Sequence, residues 1–361
     1  MAPQRLQSIR IEGYASIRSA EVELRDLNVL IGANGAGKSN FISVLALLGR
    51  IVDEELNLFV GQAGGASALR YRGSKTIPEI FLRLEFATTD YRAKLIPAAR
   101  DELIFGTEDI ELRGEGHVLG RGHRETRLLD EIDEPGLSSV AEHVVDTLRG
   151  CRVFHFHDTS ANAPVKQTGF ASDNIALHPD ARNLAAILLR LQREDHATYR
   201  RIVRTIRQVA PFFRDFVLIE ETGRLRLRWQ QEGSDVVFPA DALSDGTLRF
   251  ICLTTLLSLP DLPNLVVLDE PELGLHPYAI VQLADMLRAA SSASQVLMAT
   301  QSVTLMNQFE VDDLIVVERA GGASVFNRLD PAGLDDWLAE YSLGELWEKN
   351  LLGGRPQAES R

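Results

Sequence analysis

The chain has 361 residues, 45% of them hydrophobic and 25% charged, and a formal net charge of −13 at pH 7. These figures mark an ordinary globular protein able to bury a full core, and they exclude a uniformly basic coat for nucleic acid. Cys151 and Cys252 stand far apart without metal or redox spacing, which excludes a disulfide framework and fits a reducing cytosol, so a cytoplasmic protein is expected. No apolar run is long enough to span a bilayer, and the N-terminus lacks the apolar core of a signal peptide, so no membrane association is expected.

In chain order, segments 9–11, 17–25 and 27–31 have strand composition, and the last leads into a glycine-rich loop. A helix follows, with Phe41, Val44, Leu45 and Leu48 on one face. Residues 77–86 alternate Ile80, Leu82, Leu84 and Phe86 with polar residues, as a half-buried strand does. Residues 91–180, rich in glycine and charge, suggest only loops and short elements. A helical pattern then runs from Asn183 to Ala210 and stops at Pro211. Apolar runs flanking Thr222-Gly223 predict a hairpin. From Asp241 the α/β alternation resumes: a helix from Thr247, a strand at 264–269, a helix from Pro277, strands at 295–300 and 314–319, and a helical tail at 335–350. No heptad pattern persists, so no coiled-coil arm is expected. The expected organisation is one bilobal α/β unit, a mixed sheet flanked by helices: an N-terminal lobe (1–90), an inserted α+β region of helices and hairpin (91–240), and a C-terminal lobe (241–361).

Gly32 to Ser39, GANGAGKS, fits G-x-x-x-x-G-K-[ST] and sits between a predicted strand and a predicted helix, the context of a phosphate-binding P-loop. Glycines let backbone N–H groups curl around phosphate oxygens, and the helix start adds its positive dipole end. The expected ATP-binding residues are Gly32, Ala33, Asn34, Gly35, Ala36, Gly37, Lys38, Ser39 and Asn40. Lys38 would set a cation on the β and γ phosphates, and Ser39 would offer a hydroxyl to Mg²⁺. In LVVLDEPELGLHP, Leu265 to Pro277, four apolar residues precede Asp269 and Glu270. A buried strand delivers its C-terminal residues to the ligand crevice. Asp269 is therefore expected in the Mg²⁺ shell, and Glu270 as the base that orients and deprotonates the attacking water. An isolated Asp-Glu pair would merely cap the next helix; the upstream P-loop favours catalysis.

LSDGT, Leu243 to Thr247, precedes that strand. By itself it is an N-cap and a turn. In its order between the other two motifs it resembles the LSxG signature of ABC ATPases. The resemblance implies that Ser244, Asp245, Gly246 and Thr247 form a loop that meets the γ-phosphate bound by a second protomer, through the Ser244 hydroxyl and the Gly246 amide. It also implies a switch histidine after the strand at 295–300. Here Gln301 stands between Thr300 and Ser302, and a carboxamide can donate to a phosphate oxygen but cannot become cationic. Gln62 and Gln167 are the candidates for the Q-loop glutamine, and each also reads as an ordinary surface residue.

The blocks SIRIEGYASIRSAEVEL…LNVLIGANGAGKSNF and VLDEPELGLHP…TQS make the chain similar to the RecF/SMC-like branch of ABC ATPases rather than to transporter subunits. FHFHDTS and the terminal LGGRP add to the likeness. The resemblance implies a P-loop NTPase of ABC-ATPase head architecture, using Mg²⁺ with ATP in a homodimer. As a function it implies a dimerisation switch in DNA repair, recombination or anti-phage defence. The alternative is a low-turnover scaffold that holds ATP and recruits a separate effector such as a nuclease. Glu270 favours the first reading, and Gln301 keeps the second open. Overcoming-lysogenisation-defect nucleases share this ATPase type with an appended nuclease domain, which is not expected in a chain ending soon after its last strand.

Two further groups stand out. His155 and His157, two apart with Asp158 adjacent, read as a packed pair or as a metal site. Arg193, Arg200, Arg204 and Arg207 share one helix face, and Arg224, Arg226 and Arg228 alternate with Leu225, Leu227 and Trp229. Both faces read as solvated, or as a docking surface for nucleic acid or an acidic partner.

Overall fold

A computed structural model describes residues 5–353 except 74–76, 78, 135, 335–336 and 338–339. The chain opens with strands β1 (Ser8–Tyr14), β2 (Ile17–Glu23) and β3 (Leu27–Ile31), then helices α1 (Lys38–Val52), α2 (Leu56–Gln62) and α3 (Ala66–Leu69). Strands β4 (Ile80–Glu85), β5 (Thr89–Pro97), β6 (Leu103–Leu112) and β7 (Glu115–Gly120) precede α4 (Ser138–Gly150) and β8 (Val153–Phe154). The middle of the chain holds β9 (Gly169–Phe170), α5 (Leu184–Glu194), α6 (His196–Val209), β10 (Phe213–Phe216), β11 (Arg224–Leu225), β12 (Arg228–Gln231) and β13 (Val237–Pro239). Then come α7 (Asp245–Leu257), β14 (Leu265–Asp269), α8 (Pro277–Ser291), β15 (Gln295–Ala299) and α9 (Val303–Met306). Strands β16 (Leu314–Ala320) and β17 (Ala323–Arg328) and helix α10 (Leu343–Glu348) follow. Part of the tail helix expected at 335–350 lies outside the described residues, as does the end of LGGRP.

The elements form two compact units: Met1–Val153 with Pro263–Val267 and Ser294–Arg361, and Phe154–Leu262 with Leu268–Ala293. The first contains an antiparallel sheet of order β2-β1-β4-β5-β6-β7. It also contains most of a mixed sheet of order β17-β16-β3-β15-β14-β8, in which β3 runs parallel to β15 and β16. All five β3 residues are buried, as a strand covered on both faces requires. On α1 the expected stripe of Phe41, Val44, Leu45 and Leu48 is fully buried, and so are Leu47 and Ile51. The burial is wider than one stripe because α1 shares a single core with Ile9, Ile11, Leu82 and Leu84 of one sheet and Leu30 and Leu297 of the other.

Residues 91–153, expected in the inserted region, belong to the first unit. The cause is backbone pairing, since β5 bonds to β4 and β6 to β5, prolonging the antiparallel sheet. Tyr91, Ala93 and Leu95 point inward on β5. On its other face Asp90 lies 2.7 Å from Arg83, and Arg92 pairs with Glu111 across the strands.

In the second unit the single helix expected over 183–210 is two. Asp195 leaves helical geometry (φ −134°, ψ 73°), and its carboxylate accepts the Thr198 amide at 3.1 Å, capping α6. Arg193 therefore lies on α5, apart from Arg200, Arg204 and Arg207. The expected turn at Thr222-Gly223 is present, both residues having positive φ (51° and 76°) as a type I′ hairpin demands. Its arms are shorter than expected, because β11 pairs with β9 while β12 pairs with β10 and β13. Helix α7 packs against α6 and α8.

Among the described residues no helix is long and apolar enough to cross a membrane, and none exceeds the 15 residues of α1 and α8. Both cysteines are buried, and desolvation pushes each thiol up to about 12. At pH 8 the thiolate fraction is then about one part in 10⁴. Iodoacetamide is expected to leave both unmodified in the native protein and to label both in denaturant, read by mass spectrometry; native labelling would place a thiol at the surface.

Candidate nucleotide site

In the first unit, β3 ends at Ile31 and α1 begins at Lys38, so Gly32 to Gly37 form the turn between them. Gly32 (φ 152°) and Gly37 (φ 124°) have no room for side chains: a Cβ would lie 2.2 Å from the Val317 carbonyl oxygen and 2.0 Å from Ser324 Oγ, respectively. A chain of hydrogen bonds braces the loop. Asn40 Nδ2 donates to Ser16 Oγ, Ser16 and Ser324 hydroxyls bond each other, and Ser324 Oγ donates to the Ala36 carbonyl, each at 2.6 Å. Asn40, expected among the ATP-binding residues, thus has its carboxamide on Ser16. Ser16 and Ser324 were not legible as loop supports, since nothing in a lone serine marks its partner.

The start of α1 carries no side-chain cap and no acidic residue in its first turn. Its leading N–H groups have no carbonyl partner within the helix. Lys38, 6% exposed, donates from Nζ to the Gly32 carbonyl at 2.6 Å and to the Ala33 carbonyl at 3.2 Å. Asn34, Gly35 and Ser39 are exposed. A cation, the amides of an uncapped helix start, an accessible hydroxyl and no acidic residue in the first turn fit a polyphosphate with its divalent ion. Beyond β15, Thr300 is buried, with its amide on the Leu30 carbonyl at 3.0 Å, while Gln301 is exposed and Ser302 caps α9.

In the second unit, Leu268 is buried, Asp269 is half-buried, and Glu270 adopts a left-handed backbone (φ 43°). The chain then turns tightly, with the Leu273 amide on the Glu270 carbonyl at 3.1 Å. Ser244 caps α7, accepting the Thr247 amide at 3.2 Å, and both Ser244 and Asp245 are exposed. A Cβ on Gly246 would lie 2.6 Å from the Gly274 carbonyl oxygen, so the start of α7 lies directly against the turn after Glu270.

Two residues the motifs did not single out for the site join this cluster. Arg249 of α7 donates to the Leu273 carbonyl at 2.7 Å, the His157 carbonyl at 2.8 Å and the Phe156 carbonyl at 3.2 Å. His157 Nε2 meets the Asp269 carbonyl oxygen at 3.0 Å and, facing an acceptor, must carry the proton. His155 lies 6.0 Å from His157, ring to ring. Its pKa is lowered, by desolvation foremost and by His157, against the pull of Asp269. Among the described residues no group of three or more His, Cys, Asp or Glu forms a metal cluster.

The remaining candidates lie elsewhere. Gln62 closes α2 and is exposed, and Gln167 donates to the Ala161 carbonyl at 3.2 Å. Of the arginines, Arg193 pairs with Glu220 (3.2 Å), Arg226 with Asp241 (2.8 Å) and Arg228 with Glu221 (2.9 Å). Arg224 stacks over the Phe170 ring at 4.9 Å, and Arg200 and Arg207 donate to the carbonyls of His196 and Arg214.

Residues 27–307 match the family model described as "AAA domain, putative AbiEii toxin, Type IV TA system". The chain belongs to this AAA-domain family. The matched span contains GANGAGKS, LSDGT and Asp269-Glu270. Among curated proteins, none matches the sequence. The fold is shared with an SmcHead bound to the C-winged helix domain of ScpA, at TM-score 0.57 and 18% identity, over 92% of this chain and 99% of that one. It is shared too with an Smc head domain with an extended coiled coil from Pyrococcus furiosus, bound to the C-terminal domain of ScpA (TM-score 0.57, 17% identity, 93% and 99% covered). An Smc head domain with a coiled coil and joint from Pyrococcus yayanosii scores 0.55 at 14% identity, over 93% and 99%. This AAA-family chain therefore shares the fold of the Smc head domains, a mixed sheet flanked by helices, with no long coiled coil among the described residues.

Proposed function

We propose that the protein binds ATP with Mg²⁺ at Gly32–Asn40 and hydrolyses it slowly in a dimer whose two copies complete each other's sites. The observation that carries this reading is the start of α1: uncapped, free of acids, and joined by the buried ammonium of Lys38. Ser39 and Asp269 would hold Mg²⁺, which neutralises phosphate charge. Glu270 would take the proton of a water whose oxygen bonds to the γ-phosphorus as the bond to the β-phosphate oxygen breaks, releasing ADP and phosphate. Ser244 and Gly246, exposed and half-exposed at the head of α7, would reach the γ-phosphate of the partner protomer, and Gln301 would support it from the binding side.

Sequence likeness to the RecF/SMC-like branch supports a switch role. The description of the chain's family, "AAA domain, putative AbiEii toxin, Type IV TA system", supports defence over repair. The carboxamide of Gln301, where a histidine is implied, favours slow turnover and so supports a scaffold that recruits an effector. Light scattering of Glu270→Gln tests the composite site: a monomer without ATP and a dimer with it are expected. A monomer under both conditions would remove the in-trans role of Ser244. A permanent dimer would assign dimerisation to surfaces outside the site.

A further inference from the structure

We propose that Arg249 and His157 are positioning residues that lock the LSDGT loop to the Glu270 turn, so that a phosphate clamped by Ser244 in one site is felt at the carboxylate serving the other. The inference rests on the proposed ATPase reading and deepens it.

Arg249 is the fifth residue after Ser244, on the helix that Ser244 caps. Its planar guanidinium offers donors in fixed directions, and here three carbonyls from two other segments take them: Phe156 and His157 from the stretch after β8, and Leu273 from the turn after Glu270. Glycines make the approach possible. A side chain on Gly274 would strike Arg249 Nη1 at 2.6 Å, and one on Gly246 would strike the Gly274 carbonyl oxygen at 2.6 Å. His157 closes the ring by donating to the Asp269 carbonyl, one end of the peptide plane that leads into Glu270. That plane matters because Glu270 holds a left-handed backbone, φ 43°, which an L-residue keeps only when its surroundings fix it. Phe154, Phe156, His157, Arg249 and Leu268 line a small, partly open cleft of about 10 Å³, room for about one water, at this junction. A push on Ser244 along α7 therefore reaches the Leu273 carbonyl and the Asp269–Glu270 peptide through two side chains. Because Ser244 and Glu270 of one copy would serve different nucleotides, the brace links the two sites of the dimer.

The test uses full-length Arg249→Ala, Arg249→Lys, His157→Phe and His157→Gln, with steady-state ATPase kinetics and ADP affinity by calorimetry. An error of about 1 Å in a reacting group costs up to about 10²-fold in rate. For Arg249→Ala, kcat is expected to fall about 10- to 100-fold with ADP affinity within about 2-fold of wild type. Lysine, a single point donor, should rescue only partly, and His157→Gln, which still donates, should retain more activity than His157→Phe. With Ser244→Ala already present, Arg249→Ala should add little further loss. A wild-type kcat for Arg249→Ala, or losses that multiply fully with Ser244→Ala, overturns the brace while leaving the ATPase reading intact. Parallel loss of kcat, ADP affinity and thermal midpoint in all four variants shows a purely structural role and overturns it as well. Absence of ATPase activity in the wild-type protein overturns the underlying reading and the brace with it.

Discussion

Lys38→Ala is expected to weaken ATP binding in the presence of Mg²⁺ by about 10²-fold or more, and calorimetry would report no heat at micromolar protein. Each hydrogen bond to a charged group contributes about 1.5–3 kcal/mol, and the ammonium would make two, to the β and γ phosphates. Their loss corresponds to at least about two decades in Kd. The ammonium now bonds the Gly32 and Ala33 carbonyls from inside its own loop. It is thus already seated in the crevice, and little side-chain entropy remains to be lost when phosphate arrives. The same burial raises a competing explanation, since removing the bonds to Gly32 and Ala33 could loosen the loop. Lys38→Met separates the two, because it fills the space without a charge. Binding should be lost in both variants with the thermal midpoint of Lys38→Met near wild type. Retained affinity in Lys38→Met would mean that the phosphates lie elsewhere.

What could be read from sequence divides by how locally a function is written. The strand–turn–helix at Gly32–Ser39 is legible because its glycines are consecutive with a helix start where a strand ends, and Gly32 and Gly37 adopt backbone geometry few other residues can. The helix cap at Ser244 and the turn at Thr222-Gly223 are equally local, and both are present. The brace by Arg249 and His157 was not legible because its acceptors are backbone carbonyls, which every residue has, contributed from positions far apart in sequence. Ser16 and Ser324 were missed for a related reason: they meet across 308 positions. The helix break at Asp195 shows a different failure. The apolar period continues across it, but one carboxylate captures the Thr198 amide and local capping outweighs periodicity. In β5 the alternation of Tyr91, Ala93 and Leu95 was available, yet the glycine and charge that follow masked it. Arg92 and Asp90 are charged because they stand on the face where β4, β5 and β6 pair opposite charges.

Glu270→Gln is expected to slow hydrolysis by about 10²–10⁴-fold, the range for removing a positioned general base, while ATP affinity stays near wild type. The exchange keeps size and shape and replaces one carboxylate oxygen with an amide that cannot take a proton. Glutamine adopts the left-handed backbone at about the same cost as glutamate, so the turn through the Leu273 amide should persist. Single-turnover measurements with protein in excess over ATP isolate the chemical step from product release. Rate loss without affinity loss is the expected pair, and it also gives the trapped, ATP-loaded species needed for light scattering. Hydrolysis at the wild-type rate would move the base to another residue, and Asp269→Asn would then be the comparison that distinguishes metal binding from proton transfer. If the loss in Glu270→Gln exceeds that in Arg249→Ala by about a decade or more, the two residues are ordered as the geometry suggests. The carboxylate would touch the reacting water, and the guanidinium would act only through the carbonyls it holds.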